Sequence, residues 1–117
     1  MIQQNTDRGS IVIDNDVYTS IAGAAATSCF GVKGMAARSV SDGLYHLLRK
    51  ESLGKGVKVE FHEDNSISID LHIMVGDGVN LQAVGNSIID EVRYMVEKCT
   101  GTKVRAVNVY VDAMMID

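Results

Sequence analysis

The chain has 117 residues, 46% of them apolar, which is enough for one packed core and too little for a second domain. Its formal net charge is −4, with 11 basic residues scattered along the chain, which argues against a general phosphate-binding surface and so against nucleic acid as a partner. No window reaches the roughly 18 consecutive apolar residues of a membrane span, and Met1-Ile2-Gln3-Gln4-Asn5 lacks a basic-then-apolar signal pattern, so the expectation is a cytoplasmic protein without direct membrane insertion.

In chain order, residues 1–8 are polar and are expected to be a flexible N-terminus, followed by a short strand at Ser10-Ile11-Val12-Ile13. Asp14, Asn15 and Asp16 offer an N-cap and first-turn acids for a helix in which Val17, Ile21, Ala24, Ala25 and Ser28 recur at helical spacing. The small-residue run Ala22-Gly23-Ala24-Ala25-Ala26 lets that helix approach its neighbours closely. Gly31 and Gly34 break the pattern, and a second helix is predicted from about Val40 to Lys50 on the stripe Val40, Leu44, Leu47 and Leu48.

The stretch from Gly56 onward is the most regular. Val57, Val59 and Phe61 alternate with polar residues, and so do Ile67, Ile69, Leu71, Ile73 and Val75, which predicts an antiparallel hairpin with one buried face. Because both apolar sets sit at odd positions, opposed residue numbers must add to an even sum. That favours a three-residue Glu63-Asp64-Asn65 loop with Asn65 at positive φ, and it sets Lys58 opposite Asp70. Asn80 then caps a helix whose stripe is Leu81, Val84, Ile88, Val92, Met95 and Cys99, and Thr100-Gly101 ends it. Val104 to Val111 is the last strand, with Val107, Val109 and Val111 on one face and Val104, Ala106 and Tyr110 on the other.

The order β-α-α-β-β-α-β describes an α+β two-layer sandwich, with helices packed on one face of a mixed or antiparallel sheet. One domain spans 9–112, and 113–117 is a C-terminal tail. Cys29 and Cys99 both fall in helical patterns, as reduced packing thiols do.

Catalytic chemistry finds no constellation. His62 and His72 share a strand face but lie roughly 20 Å apart at about 3.3 Å per residue, too far to hold one metal, and His46 has only Asp42 at i−4. No serine sits in a G-x-S-x-G elbow, and Gly76-x-Gly78 is too short for a dinucleotide fingerprint. The expectation is therefore no enzyme, no cofactor and no metal. Gly31-Val32-Lys33-Gly34 is a GxxG between two predicted helices, an order that resembles a type I KH domain. On that alternative the loop would clamp single-stranded RNA, although the acidic balance and the long first helix depart from the pattern.

From Gly9 to Asp112 the chain as a whole resembles the alkaline shock protein 23 family of envelope stress response proteins of Gram-positive bacteria. The resemblance rests on an ordered set: Gly9-Ser10-Ile11-Val12-Ile13-Asp14 leading to Ile21-Ala22-Gly23, then Gly31-Val32-Lys33-Gly34-Met35, Gly56-Val57-Lys58-Val59, Gly78-Val79-Asn80, and Thr100-Gly101 before Val107-Asn108-Val109-Tyr110-Val111. Asp42-Gly43-Leu44 and Leu47-Leu48-Arg49-Lys50 are similar to its short YloU-type branch. The resemblance implies a non-catalytic cytoplasmic interaction or scaffold protein of the cell envelope, peripheral to the membrane through a membrane-anchored protein partner, and able to form homo-oligomers. The candidate interface is an apolar patch of Met74, Val104, Ala106, Tyr110, Met114 and Met115; the competing arrangement has the tail folded back over it.

Overall fold

The computed structural model describes residues 2–38, 45–47 and 54–116. The observed order is β1 (Ile2–Thr6), β2 (Gly9–Ile13), α1 (Asn15–Thr27), β3 (Val32–Arg38), β4 (Tyr45–Leu47), β5 (Val57–Phe61), β6 (Ile67–Gly76), α2 (Leu81–Thr100) and β7 (Val104–Met115). The α+β class stands, but the order differs from β-α-α-β-β-α-β at the N-terminal half.

Strand β6 organises the main sheet. Its odd-numbered residues Ile67, Ile69, Leu71, Ile73 and Val75 are all fully buried, while the even ones between them are half-buried. Both helices therefore lie on the odd face, where α1 meets α2, β3 and β5, and α2 meets β7. β5 pairs antiparallel with β6 in the register the alternation requires, Lys58 opposite Asp70, and Asn65 takes φ 66° in the loop. β3 pairs antiparallel with Ile73–Val75 of β6, so β3 and β5 share one edge of β6 end to end. β7 runs parallel along the whole opposite edge, which makes the sheet mixed. A parallel neighbour needs a crossover, and α2 supplies it.

α2 follows its sequence signals closely. The Asn80 side chain accepts from the Ala83 amide at 2.9 Å, and Gly101 closes the helix in the left-handed region at φ 71°. The buried row is Val84, Ile88, Val92, Val96 and Thr100, so Leu81 and Cys99, expected on the stripe, are exposed instead. α1 is rotated by about one position from its expected face: Tyr18, Ala22, Ala25 and Ala26 are buried, whereas Val17 and Ala24 are exposed. Tyr18 decides the rotation, because it brings the largest side chain of the helix, packs edge to face on Phe61, and satisfies its hydroxyl with Thr102 at 2.7 Å.

Three expectations are corrected here. Residues 2–6 form β1, paired with β2 in a hairpin, because Ile2 enters the core and the Gln4 amide donates to the Thr100 carbonyl at 2.7 Å. The helix predicted over Val40–Lys50 lies outside the described residues except at Tyr45–Leu47, which form strand β4 on β3. His46 thus stands in a strand. Finally, Val32, Lys33 and Gly34 are the start of β3 rather than a clamp loop between helices, so the RNA loop of the KH alternative does not exist in this fold. Gly31 alone makes the turn, at φ 90°, where an added Cβ would stand 3.0 Å from Val84 and 3.2 Å from Val79.

Candidate functional site

The sheet face away from the helices carries Lys58 and Glu60 of β5, with His62 just beyond its end, Ser68, Asp70, His72 and Met74 of β6, and Ala106, Asn108 and Tyr110 of β7, a largely polar set. Their side chains are tied in rows across the strands. His62 Nε2 meets Ser68 Oγ at 2.7 Å, Asn108 donates to Asp70 at 2.9 Å, and His72 Nδ1 meets Asp112 Oδ2 at 2.9 Å while its ring stacks on Tyr110 at a 4.8 Å centroid distance. Both histidines do sit on this face, but each has a partner. The Asp112 contact arises because β7 bulges there: Ile73 pairs with Val111 and Met74 with Ala113, and the extra residue turns its carboxylate toward His72. These contacts close neighbouring strands together. Among the described residues no three His, Cys, Asp or Glu side chains are placed to hold a metal.

At the hairpin loop, Asp64 accepts from the Ser66 hydroxyl at 2.6 Å and its amide at 3.1 Å, and from Arg105 at 3.2 Å. The Ser66 bonds, with a smaller contribution from Arg105, hold its carboxyl down at about 2. That is loop stabilisation, with Arg105 joining β7 to the loop.

The expected interface residues are not on one surface. Val104 is 2% exposed and belongs to the core, since a second register break between Val104 and Ala106 reverses its face. Met74 and Ala106 are half-buried on the open face that also carries Tyr110, 46% exposed, but Ala106 stands four residues along the strand from it, opposite Ser68. Met114 pairs with Val75 and Met115 with Gly76, because β7 continues four residues beyond Val111.

What the structure does bring together is an apolar end, where β6 leaves the sheet. Gly76 donates to the Gly31 carbonyl, Asp77 donates to the Met115 carbonyl, and Leu81 begins the helix just beyond. Phe30 (89% exposed), Leu81, Val111, Met114 and Ile116 all present exposed side chains around this exit. A depression of about 260 Å³ opens there between Phe30, Lys33, Asp77 and Val79. Sequence reasoning placed Leu81 and Val111 in the core and overlooked Phe30. Only the position of Phe30 beyond the last helical residue, next to Gly31, pointed to exposure.

The model of the alkaline shock protein 23 family, a family described as having a cell envelope-related function, matches residues 3–116. The uncharacterized protein YloU of Bacillus subtilis is 37% identical over 116 residues, covering 98% of this chain and 96% of that protein. The uncharacterized protein Spy1614 of Streptococcus pyogenes is 36% identical, covering 98% of this chain and 95% of its own length. Among solved structures, a manganese form of the MamM C-terminal domain superposes with TM-score 0.52 at 15% identity, over 86% of this chain and 99% of that one. At that identity the likeness is one of fold.

Proposed function

The chain belongs to the alkaline shock protein 23 family, whose described function is related to the cell envelope, and from that premise we propose that it is a non-catalytic interaction protein that self-associates and serves as a scaffold at the cytoplasmic face of the membrane. The observation that carries this reading is the apolar end: Phe30, Leu81, Val111, Met114 and Ile116, all exposed, lie on segments that converge where β6 leaves the sheet, with Phe30 almost wholly in water, which fits a surface covered by a partner. The reading is supported further by His62 and His72, each of which has one ring nitrogen engaged in a structural contact, with Ser68 and Asp112 respectively.

Attachment to the envelope then comes through a membrane-anchored protein. No described helix is long and apolar enough to cross a membrane, and a net charge of −4 is repelled by an anionic lipid surface. The test is light scattering after size exclusion across a concentration series. Wild type is expected to grow beyond its 12.6 kDa with concentration, and a Tyr110→Glu, Met114→Glu variant to stay monomeric with an unchanged circular dichroism spectrum. A wild type that remains strictly monomeric at the highest concentration contradicts self-association.

A further inference from the structure

β7 is the longest strand of the chain, at 12 residues, and among the described residues it is paired on one side only, by β6. An unpaired edge offers its backbone N–H and C=O groups to any other strand, and proteins guard such edges with charge, proline or bulges. β5, which also ends the sheet, has Lys58 and Glu60 along it. The centre of β7, Ala106-Val107-Asn108-Val109-Tyr110-Val111, has no charge and no proline, and both register breaks fall outside it. This is a regular six-residue segment in which Val107, Val109, Tyr110 and Val111 are strong β-formers, and no described strand pairs with its outer edge.

We propose that this edge is where two copies of the chain join, β7 against β7 in antiparallel pairing about a two-fold axis, so that one sheet runs through both. The inference rests on the self-association read above and specifies the atoms that perform it. Charge selects the direction. Arg105 precedes the segment and Asp112 follows it, so an antiparallel copy brings Arg105 toward the end of the partner strand that carries Asp112, whereas a parallel copy sets Arg105 beside Arg105; both side chains already hold partners in their own chain, Asp64 and His72, so the bias is one of avoided like-charge repulsion and not of a new ion pair. Face selects the register. Opposed residues must point to the same side, so the numbers of a pair add to an even sum and the axis passes beside a residue paired with its own copy. The two centred choices are Asn108 and Val109, and either one leaves Arg105 within one residue of the partner's Asp112. Such pairing is closed, because it uses up the edge of both copies and cannot propagate as a fibre.

Single cysteines test the pairing. In a Cys29→Ser, Cys99→Ser background, Asn108→Cys, Val109→Cys and Tyr110→Cys are made one at a time, with Gln82→Cys on the exposed first turn of α2 as control. Directly opposed strand residues lie about 4.5–5.5 Å apart at Cα, within the span of a disulfide. Mild oxidation is expected to convert N108C or V109C to a disulfide-linked species of twice 12.6 kDa, while Q82C stays monomeric on a non-reducing gel. If scattering reports dimers and none of positions 108–110 crosslinks above the control, edge pairing is overturned and self-association stands. If the uncrosslinked chain is monomeric at every concentration, both readings fall together.

Discussion

The hairpins β1–β2 and β5–β6 share a pairing pattern and differ in how they are buried. β5–β6 and β1–β2 each register five antiparallel pairs. In β5–β6 the inward residues Val57, Ile67, Ile69 and Leu71 are buried under the helices. In β1–β2 Ile2 is buried in the core and its partner Ile13 packs against it from the rim, while Ile11 and Val12, neighbours that must point to opposite faces, are 53% and 52% exposed. Strand pairing alone thus does not incorporate a hairpin into a fold, and an isolated two-stranded ribbon is marginal in water. What incorporates β5–β6 is burial of one complete face.

The sharpest way to break this contrast is to truncate one side chain in each hairpin. Leu71→Ala is expected to cost about 2–5 kcal/mol, from lost transfer free energy and the cavity left in a packed interior. Ile11→Ala is expected to change stability by no more than about 0.5 kcal/mol, as at other exposed positions. Urea unfolding measures both, and equal costs would end the distinction. A smaller effect tests what tethers β1–β2. Gln4→Ala removes the bond to the Thr100 carbonyl at the α2 terminus, an expected loss of about 0.5–1.5 kcal/mol, and it should speed amide exchange in Ile2–Ile13 while leaving β5–β6 unchanged.

The smallest effect belongs to the β5–β6 loop and depends on pH. Asp64 has its carboxyl lowered from 3.8 to about 2 in the fold, so its ionised form adds stability that is present above the unfolded value and is lost as pH falls through about 2. Water screens this largely exposed group, so the contribution is small. The urea midpoints of wild type and Asp64→Asn should differ at pH 5 and converge as the pH approaches 2. A gap that persists unchanged in acid would assign the effect to the loop hydrogen bonds of the neutral form.

The same contrast shows where sequence was legible. β5–β6 and α2 could be read with their register, loop and caps, because alternation from Val57 to Val75 and the caps Asn80 and Gly101 act within a few residues of one another. β1 was illegible because Gln3, Gln4 and Asn5 carry no apolar alternation, and its anchors, Ile2 and the Gln4 side chain, meet a core and a helix end that come from distant segments. β3 was obscured by the glycines on either side of Val32-Lys33, which suggest a loop until Val32 and Gly34 are known to pair with Val75 and Met74. The candidate interface failed at Val104 for a related reason: period-two reading assumes an unbroken strand, and the break beside Arg105 reverses the face of every residue before it. The partners of His62 and His72 were recoverable in part, since Ser68 lies on the same hairpin. Asp112 becomes adjacent only through a parallel pairing that spans the whole of α2.

The central claim, that the open edge of β7 is covered by a second copy of the chain, is tested most directly by hydrogen exchange across a concentration series. Amides within Ala106–Val111 are expected to gain protection as concentration rises, in step with the mass seen by light scattering, while Ile11 and Val12 on β2 show no such change. Dimers that form with exchange in Ala106–Val111 unaltered would contradict it.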